Sequence, residues 1–247
     1  MAINWYHYAS PATFHPLAGR LAAAFAWLAA ALTAAGLWIG FVVAPTDATQ
    51  GEAYRIIVIQ VPPAWMAMFI YLVMAFWSAL ALGFNTRLSA MMAQSLAPTG
   101  ALMALLAVWT GAFWGRPTWG TDGAWDARMT STLILLFLYL GVIALRNAID
   151  DPRRADKACA VLTLVGAVNV PIIYFSVRWW NTLHQGASVS LTSAPKMATI
   201  MLTGMLVMTF ACWFWCIAVA LWRVQAIILE RERGAGWVAA LPAVRET

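Results

Sequence analysis

Charge is the scarcest property of this chain. Asp, Glu, Lys and Arg together make up 10% of its 247 residues, against 63% hydrophobic residues, and the mean hydropathy is +0.75. A soluble globular domain carries about 25% charged residues, so that class is excluded. Cysteine is nearly absent: Cys159, Cys212 and Cys216 are the whole complement. Cys212 and Cys216 share one face of the last apolar run among Phe, Trp and Ile, where thiols pack as small hydrophobes. Cys159 has no partner motif, and no Cys-x-x-Cys-His sequence occurs. No Gly-rich phosphate loop is present, so any ATP dependence belongs to a partner. Histidine occurs three times, and His7 and His15 lie in the N-terminal tail as ordinary polar residues. No internal repeat stands out.

What the chain has instead is six uncharged apolar runs, at residues 21–43, 64–84, 91–113, 129–145, 158–177 and 197–221. Each is long enough to cross a hydrocarbon core. The expected fold is therefore an all-α membrane protein, a bundle of six transmembrane helices forming a single membrane domain over residues 1–247. The first run starts too late and continues too far for a cleaved signal peptide. Within the fifth run, Asn169-Val170-Pro171 should bend the helix, because proline removes a backbone hydrogen bond.

Six spans put both termini on one side. That side holds Arg20, Arg87, Arg146, Arg153, Arg154, Lys157, Arg223, Arg231, Arg233 and Arg245; the other holds Arg55, Arg116, Arg128, Arg178 and Lys196. Ten basic residues against five place the N and C termini in the cytoplasm. The loops at residues 44–63, 114–128 and 178–196 then face outward, into the periplasm if the membrane is a bacterial inner membrane. This bias and anionic membrane lipid account for the net charge of +5, and no nucleic acid is required.

The three outer loops share an unusual chemistry. The second, beginning Trp114-Gly115-Arg116-Pro117-Thr118-Trp119-Gly120 and ending Trp125-Asp126-Ala127-Arg128, combines three tryptophans with arginines and carboxylates. Flat apolar faces beside guanidinium donors suit a planar amphiphile with an anionic edge, of which heme is one. Tryptophans also gather at membrane interfaces where no ligand is bound, so an aromatic belt is the plainer reading. The first loop carries Asp47, Glu52, Arg55 and Gln60 before Pro62-Pro63, which is expected to open the second span. The third begins Arg178-Trp179-Trp180-Asn181-Thr182-Leu183-His184-Gln185 and holds the one outward histidine. Neutral imidazole is a common metal ligand, though an interfacial histidine can equally serve only in hydrogen bonding.

The second-loop motif, with Tyr54-Arg55-Ile56-Ile57 and Val61-Pro62-Pro63-Ala64-Trp65 upstream and Trp179 to Gln185 downstream, resembles the cytochrome c maturation heme-handling family CcmC. The resemblance runs from Gly51 to about Arg233. It implies a protein that holds heme b at the outer leaflet and presents it to a periplasmic heme chaperone. It also implies ABC transporter ATPase and permease subunits and a small single-span subunit as partners. Trp114, Trp119, Trp125, Asp126 and Arg128 match the family's heme platform. His184 matches an iron ligand, Trp179 and Trp180 flank it, and Arg55 and Arg128 are expected to anchor the heme propionates.

Two positions depart from the family pattern. Gln60 stands where the family has a second histidine ligand, and an amide oxygen is a weak, neutral donor. Asp122-Gly123 replaces a pair of platform tryptophans. Three explanations are open: weaker binding with His184 as the sole strong ligand, a second ligand from elsewhere, or a deliberate substitution that traps or weakens a heme-bound state. Met66 and Met68 are expected to pack inside the second span. Two alternatives to a binding and transfer protein also stand. One is a transporter scaffold subunit without a ligand; the other is a heme lyase acting by positioning its reactants.

Overall fold

A computed structural model describes residues 5–120, 126–180, 189 and 197–241, without the side chains of residues 5, 6 and 117–119. Six helical segments are long and apolar enough to cross a membrane, and no strand occurs among the described residues. After a short 3-10 turn at Trp5–Ala9, helix α1 spans Pro11–Trp38 and widens into a π-helical turn at Ile39–Val43. A 3-10 turn at Glu52–Ile56 leads into α2, Ile57–Phe84. Then follow α3 (Arg87–Trp119), α4 (Ala127–Ala148), α5 (Pro152–Gly166), α6 (Asn169–Trp179), α7 (Thr199–Arg231) and the single turn α8 (Gly236–Ala239).

The helices run further than the apolar stretches. α1 begins at Pro11, so His15 is helical and not in a tail. α2 begins at Ile57, which places Gln60, Pro62 and Pro63 within its first two turns. The proline pair therefore does not open the second span as the sequence suggested. α3 continues to Trp119, so the first half of the tryptophan segment is helix and not loop. At the other end of α2, only Asn85 and Thr86 separate it from α3. Asn85 takes φ +52°, a left-handed conformation that asparagine tolerates and that ends the helix sharply.

The expected bend in the fifth span is a local break in helix hydrogen bonding between α5 and α6, where Ala167 and Val168 keep helical dihedrals within one 28-residue span. Pro171 cannot donate to the carbonyl of Ala167, four residues back, and its ring crowds that carbonyl. The chain responds by turning at Ala167 and Val168, with Val170 N–H bonded to Ala167 C=O at 3.1 Å. Asn169, the first residue of α6, is buried and donates from Nδ2 to Ser131 C=O on α4 at 2.9 Å. This buried side-chain amide thus finds its partner inside the bundle, as hydrocarbon requires.

Close helix approach rests on small residues. Ala18, Ala22, Ala29 and Gly36 form the buried stripe of α1. A Cβ on Gly36 would lie 3.0 Å from Met208 Sδ on α7, and one on Gly204 of α7 would lie 3.2 Å from the backbone of Gly40. Such stripes let helices gain packing where water supplies no hydrophobic drive. At the centre, Tyr71 and Tyr139 are fully buried with ring centroids 4.9 Å apart. Tyr139 Oη donates to Ala67 C=O at 2.8 Å, and each ring sits over a glycine, Gly166 and Gly100 respectively. Cys212 and Cys216 pack with this core, Cys212 Sγ lying 3.5 Å from Met103 Sδ; Met66 is buried there too, with Met68 at its edge.

The two ends of the bundle differ. One gathers the start of α1, the start of α3, the end of α7 and α8, with His15 and Trp237 ring centroids 5.9 Å apart. The described ends of the chain, Trp5 and Leu241, lie at this end. The opposite end carries the loop between α1 and α2, the end of α3 and the start of α7, joined by a cluster containing Ala44, Tyr54, Ile57, Val58, Met201 and Met205.

Candidate functional site

The loop between α1 and α2 is shaped by local hydrogen bonds. Asp47 Oδ1 accepts from the backbone N–H of Thr49 at 2.9 Å and of Gln50 at 2.8 Å, and Gly51 N–H returns to Asp47 C=O at 3.0 Å. This is an Asx-type turn, closed by Gly51 at φ +58°. The turn aims Gln50 at α3, where Gln50 Oε1 accepts from Trp114 Nε1 at 3.0 Å. Tyr54 adds a ring contact to Trp114, centroids 6.2 Å apart and edge-on. Trp114 is half-buried between these two residues, packed on the cluster beneath. From the sequence Tyr54 entered only as part of the Tyr54-Arg55-Ile56-Ile57 motif and Gln50 not at all; Asp47 followed by Gly51 is the turn signal that could have found Gln50.

Arg55 stands in the 3-10 turn before α2 with its side chain 14% exposed. Its Nη1 donates to the carbonyls of Gly40 at 2.9 Å and Ala44 at 2.8 Å, and Nε pairs with Glu52. Glu52 in turn accepts from Thr46 Oγ1. The guanidinium thus closes the end of the first span, where helix carbonyls lack amide partners and favour a cation. Gln60, half-buried one turn into α2, faces α3 at Gly111, where a Cβ would lie 3.7 Å from Gln60 Nε2.

On the far side of the tryptophan segment, Asp126 is the N-cap of α4. Its Oδ1 accepts from Met129 N–H at 2.9 Å, so the motif carboxylate also starts the helix. Arg128 is the second residue of α4, half-buried and within electrostatic reach of Asp126. Trp179 ends α6, stacked on Phe175 at 5.2 Å and edge-on to Trp180 at 5.9 Å. Both tryptophans are more than half exposed. Since Asn169 lies beside Ser131, ten further residues of α6 carry Trp179 about 15 Å onward, to the outer side of the α4 start.

The structure therefore brings Trp114 onto the first loop, and Asp126 next to Arg128. It places the exposed Trp179 and Trp180 pair at the same end of the bundle, away from the termini. Trp119 closes α3, with its side chain outside the description; Trp125, Asp122, Gly123, His184 and Lys196 lie outside the described residues. Chemically, this end offers flat aromatic faces, a half-buried guanidinium and a short acidic turn around a rigid first loop.

Comparison with known proteins identifies one family. The family described as heme exporter protein C matches residues 4–239. The chain is 48% identical to heme exporter protein C of Bradyrhizobium diazoefficiens over 206 residues, 82% of this chain and 77% of that protein. It is 40% identical to the protein of that name from Haemophilus influenzae over 239 residues, covering 96% and 97%. With its Escherichia coli K12 counterpart the identity is 42% over 223 residues, covering 87% and 88%.

Proposed function

The chain belongs to the heme exporter protein C family, and from that premise we propose that it binds heme b at the periplasmic face of the bacterial inner membrane. It presents that heme to a periplasmic heme chaperone during c-type cytochrome biogenesis. It works beside ABC transporter ATPase and permease subunits and a small single-span subunit, with both termini in the cytoplasm. Heme is cargo here, held and handed on.

The observation that carries this reading is the chemistry collected at the end away from the termini. Trp114 is fixed by Gln50 and Tyr54, Arg128 stands at the start of α4 beside Asp126, and Trp179 and Trp180 expose their faces. A porphyrin needs such faces, and its propionates need guanidinium forks. In this reading Arg128 takes a propionate, and Arg55 reaches one by exchanging Glu52, which pairs with its Nε and Nη2, for the heme carboxylate. His184 supplies the strong axial ligand; Gln60 offers a weak amide oxygen in place of a second imidazole. Trp119 and Trp125 complete the platform.

The visible spectrum of the protein purified with and without the chaperone tests the proposal. A Soret band that diminishes as heme passes to the chaperone is expected. His184→Ala should lose most of that band while still inserting into the membrane. A parent protein that takes up no heme would favour the scaffold reading, and an unchanged band in His184→Ala would refute the ligand assignment.

A further inference from the structure

The end of the bundle that carries the termini holds two adjoining cavities, remote from every residue assigned to heme. One, of about 230 Å³, is a polar mouth lined by Asn85, Thr86, Arg87, Arg153, Asp156 and Lys157. The other, of about 190 Å³, is a slot between α2, α3, α4, α5 and α7, apolar along Met74, Ala97, Val142 and Ile227 and edged by Arg146, which pairs with Asp156, and Arg223, which is bonded to Ser95 and Thr99. They share Ala81, Ala90 and Asp156, so the mouth continues into the slot.

The single acid in the mouth is already neutralised. Asp156 Oδ1 accepts from Arg146 and from Arg231 Nη2, each at 2.8 Å, and Oδ2 accepts from Arg231 Nη1 at 2.9 Å. Arg231 also donates to Gln94. Arg87 pairs with Glu232 at 3.1 Å. Among the described residues, no hydrogen bond or ion pair engages Arg153 or Lys157, which stand one turn apart on α5 with exposed side chains.

A second donor set lies opposite. α3 starts at the mouth, and its N-cap Thr86 makes no side-chain bond to the helix backbone. The Thr86 hydroxyl donates to Ser89 Oγ at 2.7 Å instead. The first-turn N–H groups of this 33-residue helix are thus left for an external acceptor. By contrast α5 has its own cap, Asp151 accepting from Arg154 N–H at 2.7 Å. Two uncommitted cations, an uncapped helix start and an apolar continuation between spanning helices select one ligand shape. It is an anion with a hydrocarbon tail.

We propose that this mouth and slot form a binding site for an anionic phospholipid. The phosphate is held between Arg153, Lys157 and the start of α3, and an acyl chain enters the slot between α2, α3 and α5. Basic pockets between helices at a membrane surface recognise such head groups. A bound lipid would tie the α2–α3 turn to the α4–α5 turn. The slot is what separates this ligand from free phosphate, which has no use for apolar walls.

Native mass spectrometry of the full-length, delipidated protein tests this, with phosphatidylglycerol and phosphatidylcholine of identical acyl chains as probes. One tight phosphatidylglycerol per chain is expected, in preference to phosphatidylcholine. Arg153→Ala and Lys157→Ala should each weaken it about fivefold, and the double variant about 25-fold. Arg153→Lys with Lys157→Arg should retain binding. Arg154→Ala with Arg20→Ala, which remove equal charge outside the cavities, should leave it unchanged. Thermal unfolding of every variant confirms folding. Equal binding of the two lipids, or equal losses in the double variant and its charge-matched control, would mean an unspecific lipid annulus and overturn the proposal. Displacement by inorganic phosphate would reassign the mouth to a free anion, and stoichiometric displacement by hemin would reassign it to the cargo; either result also overturns it.

Discussion

Trp114 and Gln50 lie 64 residues apart in sequence and meet through a 3.0 Å hydrogen bond, indole Nε1 to amide Oε1, at the end of the bundle opposite α8. The bond joins the loop between α1 and α2 to the helix that carries the tryptophan motif. A half-buried indole N–H left without a partner costs about 1–3 kcal/mol. Gln50→Ala should therefore lower thermal stability in detergent by that order, and reduce the ratio of Soret absorbance to protein severalfold by letting Trp114 reorient. Gln50→Glu keeps an acceptor and should stay near the parent in both. Unchanged melting and heme content in Gln50→Ala would show that the Tyr54 contact alone holds Trp114.

Arg55 is expected to act in two ways that can be separated. Its Nη1 satisfies two carbonyls at the end of the first span, and bonds of this charge-assisted kind contribute about 1.5–3 kcal/mol. Arg55→Ala should lose both stability and heme. Arg55→Lys should rescue little, because a single ammonium cannot span the carbonyls and Glu52 as a fork does. Arg128→Ala is expected to lose heme chiefly. Both alanine variants should bind less heme than Lys196→Ala at equal expression; equal binding by all three would dismiss the propionate role.

Gln60→His tests the departure from the two-histidine pattern. Gln60 sits one turn into α2, against Gly111 on α3, where the missing side chain leaves room for an imidazole. The variant should retain more heme, shift it toward a low-spin, six-coordinate spectrum and slow transfer to the chaperone. Paired spectra and a transfer time course provide the check. No change in spin state or content would mean that position 60 does not face the iron.

The tyrosine pair at the bundle centre predicts a purely structural effect. A Cβ on Gly100 would come within 2.1 Å of Tyr139 Cζ, and Tyr139 is fully buried. Gly100→Ala should destabilise the fold by about 1–3 kcal/mol or more through overpacking. Gly83→Ala, with open space around its Cβ, is the control and should melt like the parent.

Sequence alone sufficed for the spans, because a hydrocarbon core demands about 20 uncharged residues per crossing and that demand is local. The break at Ala167 and Val168 was legible for the same kind of reason, since Pro171 acts on a carbonyl four residues away. Where the helices end was not legible from the pattern. Gln60 and Trp114 lie beyond the apolar runs, in turns held by contacts between elements and not by lipid. Arg55 read from the sequence as a propionate anchor, and only its approach to Gly40 and Ala44 makes it a cap on the first span. Arg146, Asp156 and Arg231 likewise appeared as separate basic and acidic residues, although the fold neutralises the acid between two guanidiniums. That neutralisation leaves Arg153 and Lys157 uncommitted beside the uncapped start of α3. Composition and periodicity report a residue's preference for lipid, water or helix over a few neighbouring positions. Which donor meets which acceptor across 64 or 75 residues is decided when packed helices bring them within hydrogen-bond distance.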